Sequence, residues 1–314
     1  MSQMPPNSLN WTLVDGFVLL GLTEEPSLQR TLFIMFLITY TLNLIGNGFI
    51  IVIVLLEPTL RTPMYFFLVN LSFFDICFSS VAVPKMLQDL LTHQKVISVT
   101  ACLAQMHFFH FLGSSEVLLL TAMSYDRYVA ICKPLHYCGI MNRGRCLLFA
   151  VGSWCTGFLH SLMHTLFTAR LPFCGSNIVN HFFCDIKPLL KLACADTTLN
   201  VYLLALVTGS LVMISFFLTL LTYIFISSAL LRIRSSAGRL RAFSTCASHL
   251  AVVVLLYGTA IFTYVRPITE ESLHVDRIAA IFFTVLTPML NPLIYTLRNQ
   301  DVQNATKRLF RSLV

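Results

Sequence analysis

Charge is what this sequence has least of. Only 11% of its 314 residues are Asp, Glu, Lys or Arg, while 56% are hydrophobic; an ordinary soluble domain carries about a quarter charged residues. That deficit argues against a water-exposed globular chain and for one solvated by the hydrocarbon of a bilayer. Low-complexity tracts and long structureless stretches are lacking, so one compact membrane domain over 1–314 is expected, with no separate soluble unit. Internal repeats are lacking too, which counts against a transporter built from duplicated halves with paired interrupted helices. There is no Gly-x-Ser-x-Gly, His-Glu-x-x-His or phosphate loop, and no enzyme is expected. The first 27 residues contain neither a basic leader nor a small-residue cleavage site, so the first apolar segment is expected to do the targeting. The net charge of +7 does not imply nucleic acid, because the basic residues are not gathered on a soluble module.

What is there is apolar length. A helix needs about 20 mostly apolar residues to cross a bilayer. Seven stretches qualify: Thr31–Leu56, Pro63–Val83 (interrupted by Asp75), Ala101–Ser124 (interrupted by Glu116), Cys146–Ala169, Thr197–Leu231, Ala242–Val265 and Ile278–Leu297. Backbone amides find no water in hydrocarbon, so such runs must be helical; strands of a membrane barrel would be about half as long. An all-α bundle of seven spans over 31–297 follows, with a head at 1–30 and a short tail at 298–314.

Orientation is read from Lys and Arg in the connections. With the N-terminus outside, the inner connections hold 13 cations against three acids and the outer ones eight against nine. An extracellular N-terminus and a cytoplasmic C-terminus are expected. The sequon Asn10-Trp11-Thr12 is then a glycosylation acceptor, whereas the matches at Asn70 and Asn304 fall in a span and in the tail. Six of the ten cysteines lie in spans or on the reducing side. Cys102, Cys174, Cys184 and Cys194 face the oxidising side, where four cysteines allow three pairings. His181, beside one of them, lacks the ligands of a closed metal site.

Asp75 and Glu116 are costly in hydrocarbon, at least about 2.5 kcal/mol each if unpaired. Two acids on neighbouring helices can share a proton, bind a cation or form a neutral hydrogen-bonded pair, with Asn47, Ser72, Ser115 and Asn291 as polar neighbours. In the third span Phe109, Glu116 and Arg127 are spaced by 7 and 11 residues. At about 3.6 residues per turn they share one face. Asp126 beside Arg127 at the inner end is expected to form a local ion pair that restrains the arginine. Pro292 weakens the last span after Asn291, as a hinge or as a static kink. Arg232-Ile233-Arg234-Ser235-Ser236 reads as a kinase site or, better, as a basic stripe against anionic headgroups.

Four motifs make the pattern specific: Met123-Ser124-Tyr125-Asp126-Arg127-Tyr128-Val129-Ala130-Ile131-Cys132, Pro63-Met64-Tyr65-Phe66-Phe67-Leu68, Arg241-Ala242-Phe243-Ser244-Thr245-Cys246-Ala247-Ser248-His249 and Pro288-Met289-Leu290-Asn291-Pro292-Leu293-Ile294-Tyr295. In this order, with Gly46-Asn47 and the evenly spaced Cys174, Cys184 and Cys194, the chain resembles the olfactory (odorant) receptors, rhodopsin-like G-protein-coupled receptors, from about Val18 to Arg311. Ala237 and Arg241 depart from the usual Glu and Lys of the family. The resemblance implies an odorant receptor in the plasma membrane of olfactory cilia. Its partners would be a small volatile odorant and a stimulatory, olfactory-type G protein that raises cyclic AMP. It implies the bridges Cys102–Cys184 and Cys174–Cys194, a sodium ion held by Asp75 and Glu116 as allosteric modulator, and a switch of Asp126, Arg127, Tyr128, Tyr223, Asn291, Pro292 and Tyr295. It places the odorant in the outer half of the bundle, among Met106, Phe109, His110, Gly113, Ser114, Val207, Thr208, Leu211, Tyr257, Ala260, Tyr264 and Thr284. These are mostly apolar and aromatic with a few hydroxyls, as a small-molecule pocket should be. His110 is either a hydrogen-bonding partner of the ligand or a packed structural histidine.

Overall fold

A computed structural model describes residues 15–92, 95–174, 176–232, 236–264, 269–298 and 300–313, with the side chains of 236–245, 248, 270–274, 297–298, 300 and 310–313 left aside. Asn10, Ser235 and the side chains of Ala237 and Arg241 fall outside what is described.

Seven long rods run through the described chain: α1 (Pro26–Leu56), α2 (Pro63–Leu91), α3 (Val99–Cys132), α4 (Arg143–Ala169), α5 (Thr198–Arg232), α6 (Ser236–Tyr264) and α7 (270–298). An eighth, α8 (Gln300–Leu313), follows α7. Local chemistry sets several of the starts. Pro26 and Pro63 stand in the first turn of α1 and α2, where the missing N–H costs nothing. Ser98 Oγ accepts the Ala101 amide at the head of α3, and Asn142 Oδ1 the Arg145 amide at the head of α4.

The rods outrun the apolar stretches that announced them. Helix α1 begins five residues before Thr31, so part of the expected extracellular head is already helix, and the expected tail is the helix α8. Helix α2 continues past Val83 through Lys85 and Asp89, which pair at 2.5 Å one turn apart. A scan for uncharged residues stops at the first charge, whereas a helix stops only when its hydrogen bonding is interrupted.

Five rods (α1, α2, α4, α5 and the 275–296 part of α7) are long and apolar enough to cross a membrane by composition alone. Helix α3, at 34 residues, is long enough but too polar to count among them. Its Gln105, His110, Ser114, Ser115, Glu116, Ser124 and Asp126 are all buried, as expected of polar side chains at membrane depth that face the bundle interior. The outward faces carry the apolar residues: Ile45, Leu148, Leu159, Leu206 and Val254 are each more than 60% exposed. In water such a surface would aggregate; in lipid it is solvated.

Close approach relies on small residues. A Cβ on Gly157 of α4 would collide with Ser115 Oγ and Phe111 O of α3, and one on Gly46 of α1 would lie 2.9 Å from Pro292 Cγ of α7. Polar ties join α1, α2 and α7. The Asn43 amide reaches Ser79 Oγ at 2.5 Å, and Asn47 reaches the Pro288 carbonyl at 3.0 Å. Asn291 donates to both Asp75 carboxylate oxygens at 3.0 Å.

Three short strands cap one end of the bundle: β1 (Gly16–Leu19), β2 (Val96–Ser98) and β3 (Ile178–Val179). The order is β2-β1-β3, with β1 antiparallel to β2 and parallel to β3. The N-terminal segment thus threads between the α2–α3 and α4–α5 loops.

Candidate functional site

The α4–α5 loop is a plug. Cys184 is bonded to Cys102 at the head of α3 and Cys174 to Cys194 within the loop, with Cα atoms 5.3 and 5.9 Å apart. Between these staples the segment His181-Phe182-Phe183-Cys184-Asp185 is completely buried. Gln105 of α3 fixes its height by accepting the Cys184 amide at 2.9 Å while donating to Val81 O of α2. His110 Nε2 lies 2.9 Å from Asp185 Oδ1. One turn further on, Lys187, 1% exposed, pairs with Asp276 of α7 at 3.0 Å and donates to the Thr263 carbonyl of α6.

Burial works to raise the Asp185 carboxyl, but its hydrogen bond from His110, the nearby His181 and the Ile186 amide outweigh it and hold it below the ordinary carboxylate range. Burial pushes His181 the other way, from 6.5 down to about 4, so it is neutral in the plug.

Beneath the plug lies a cavity of about 60 Å³ between α3, α5, α6 and α7, with Phe78 of α2 at its side. Phe109 is its aromatic centre, with ring centroids 4.5 Å from Phe183 of the plug, 4.8 Å from Phe78 and 5.6 Å from Phe283. Two π-helical turns frame it, Leu204–Thr208 in α5 and Phe282–Leu286 in α7. Each presents a residue to the cavity, Thr208 and Phe283. Such turns recur at functional sites because one extra residue re-aims the side chains around it.

Of the ligand residues expected from the sequence, Phe109, His110, Gly113, Ser114, Thr208, Leu211, Ala260 and Tyr264 line this cavity. Four lie elsewhere. Met106 packs into the apolar cluster beneath the strands with Cys102 and Cys184. Val207 stands inside the π turn, off the cavity wall. Tyr257 lies deeper, its hydroxyl 2.8 Å from Thr121 Oγ1 and 3.4 Å from Thr219 Oγ1. Thr284 turns its hydroxyl to the Ala280 carbonyl of its own helix. The polar members are largely committed: His110 to Asp185, Ser114 to His160 at 2.9 Å, and Thr208 to His160 and His164 at 2.9 and 3.0 Å. Two buried polar atoms of lining residues have no partner among the described residues, the Tyr264 hydroxyl and Glu116 Oε1. Glu116, which the sequence places on one face with Phe109 and beside Asp75, is also a wall residue; Phe78, Val212, Leu256, Thr259 and Phe283 carry no sequence signal.

At the opposite end the expected Asp126–Arg127 ion pair is not among the described contacts. Asp126 accepts from the Tyr137 hydroxyl at 2.8 Å, and Arg127 lies against Met64 Sδ of α2. The short helix after α3 therefore takes the carboxylate that the arginine was expected to hold. Tyr128 packs on Phe225 of α5. Tyr223 donates to or accepts from His249 Nδ1 of α6 at 2.6 Å, and the buried Tyr295 hydroxyl has no partner among the described residues. Asp75 of α2 and Glu116 of α3 are both buried.

A plugged, mostly apolar cavity thus lies at one end, and the half-buried Arg127 with the buried Tyr223 and Tyr295 at the other; the family follows from comparison. The family model described as "Olfactory receptor" matches residues 35–312. The chain belongs to the olfactory receptor family. Human olfactory receptor 12D1 is 54% identical, with 96% of this chain and 95% of the relative aligned. Human olfactory receptor 12D2 is 52% identical over 97% and 100%, and mouse olfactory receptor 5AR1 48% over 96% and 97%. The molecule is thus a membrane-embedded, seven-helix, G-protein-coupled odorant receptor and not an enzyme.

Proposed function

We propose that this olfactory receptor takes a small, weakly polar odorant into the cavity between α3, α5, α6 and α7 and signals through a stimulatory, olfactory-type G protein that raises cyclic AMP. The observation that carries the ligand site is a mostly apolar space closed by a stapled plug, with the Tyr264 hydroxyl and one Glu116 oxygen on its wall unpartnered among the described residues. Contact area would hold the ligand, and one or two hydrogen bonds would orient it. A cavity of about 60 Å³ is well below the ~300 Å³ or more of typical ligand pockets. A bound odorant therefore has to push Phe109 or Tyr264 aside, and this displacement is what favours a different arrangement of α6 and α7. The movement ends at the inner layer, where Tyr223 leaves His249 and Arg127 becomes available to the G protein.

The excess of cations on the Arg127 side supports an extracellular N-terminus and a cytoplasmic C-terminus, and the family supports the plasma membrane of olfactory cilia. Asp75 and Glu116 offer the hard oxygen donors that a sodium ion prefers, and the unpartnered Glu116 oxygen fits such a role.

An odorant panel on cells carrying the receptor and a cyclic AMP reporter tests the reading. Tyr264→Phe should shift the dose–response of an identified agonist about fivefold or more, the worth of one hydrogen bond, and Arg127→Ala should abolish the response at equal surface level. A normal response from Arg127→Ala, or agonist-driven current without a G protein, would overturn it.

A further inference from the structure

On the lipid-facing side of α1 and α7, level with Pro292, lies a groove of about 590 Å³. Leu42, Ile45 and Phe49 of α1 form one wall, Met289 and Leu293 of α7 the other, and α8 closes one end with Lys307. Gly46 forms the floor; lacking a side chain, it lets Pro292 approach and leaves a trough between the helices.

Two features decide what fits. The wall hydroxyls are spent within their own helices, Thr296 on the Pro292 carbonyl at 2.6 Å and Thr306 on the Val302 carbonyl at 2.8 Å, so the trough offers hydrocarbon more than hydrogen bonds. Its end is cationic. Helix α8 buries Val302 and Ala305 and exposes Lys307 and Arg308, the habit of a helix lying in the headgroup layer. Arg308 is engaged, 3.4 Å from Glu57 and 2.9 Å from Thr59 Oγ1. Lys307 has no partner among the described residues.

We infer that this groove holds an anionic glycerophospholipid, with one acyl chain along the trough against Pro292 and its charged headgroup on Lys307. An apolar slot of chain width ending in an unpaired ammonium matches that amphiphile and no uncharged lipid equally well. The inference rests on the cytoplasmic C-terminus proposed above, which puts α8 in the headgroup layer, but on neither the odorant nor the G protein.

The full-length receptor, reconstituted in nanodiscs, would be exposed to phosphatidylserine or phosphatidylcholine carrying a photoactivatable acyl chain, and the labelled residues mapped by mass spectrometry. Phosphatidylserine should label the Leu42–Phe49 and Met289–Leu293 segments about fivefold more than phosphatidylcholine, the weight of one lysine near an anionic headgroup. Lys307→Gln should erase that preference, and Ile45→Trp, which fills the trough and leaves the lysine, should reduce labelling by both lipids there. Equal labelling by the two lipids, a preference that survives Lys307→Gln, or labelling that maps elsewhere overturns the inference. Loss of odorant response with labelling intact would instead count against the functional reading.

Discussion

The two ends of the bundle are held together by different means. The plugged end is tied by two disulfides, a buried Lys187–Asp276 ion pair, the His110–Asp185 contact and a three-stranded sheet. The end around Arg127 is tied, among the described residues, by single hydrogen bonds such as Tyr137 to Asp126 and Tyr223 to His249 and by the solvent-exposed Arg308–Glu57 pair, of a kind that contributes little. A net hydrogen bond contributes about 1 kcal/mol, an amount a ligand can overcome, whereas the ties of the plugged end cannot be exchanged so cheaply. The difference teaches where rigidity and motion reside. One end keeps its shape so that a ligand is recognised; the other gives way so that recognition is reported.

The comparison can be broken most severely at the plug. Cys102→Ala should cost about 2–5 kcal/mol and remove most receptor from the cell surface. Cys174→Ala should cost less, because its bridge closes 20 residues against 82; antibody labelling of intact cells would check both. Lys187→Met should destabilise by about 3–5 kcal/mol, since it removes one partner of a buried ion pair, and the double change with Asp276→Leu should recover much of that loss, as read by thermal unfolding in detergent.

Acid should loosen the same end. The folded pKa of His181 is below its unfolded value, so its contribution is present above pH 6.5 and is lost as pH falls from 6.5 toward about 4. Asp185, also held low, adds to the loss only below the ordinary carboxylate range. Thermal stability should fall across the first window, and His181→Phe should flatten that slope. The smallest effect is expected at the inner end, where Tyr223→Phe removes one hydrogen bond. It should raise basal cyclic AMP a few-fold at equal surface level; unchanged or lower basal signal would mean that the Tyr223–His249 contact does not restrain the resting state.

Much of this was legible in the residues, for reasons that can be named. Asp75, Asn47 and Asn291 stand out because polar groups are scarce in apolar spans, and the structure joins them or brings them close. The family resemblance pointed to Phe109, His110, Gly113 and Ser114, which occupy consecutive turns of one helix and do line the cavity. It pointed to Val207 as well, which stands off the wall in the π turn Leu204–Thr208, where an inserted residue rotates the register. It gave no view of Phe78 or Phe283, whose place depends on how α2 and α7 lean against α3. Lys187 and Asp276 were merely two opposite charges among the outer connections, 89 residues apart.

Composition, span length and the distribution of cations settle without any coordinates that the chain is a membrane bundle of helices and which end is basic, because each follows from local transfer energies. The ordered motifs settle its family. That Asp126 takes Tyr137 rather than Arg127, how tightly the plug closes and how little room it leaves were decided only by the tertiary structure. Those are outcomes of competition between partners distant in sequence, and a competition has no result until all the partners are in place.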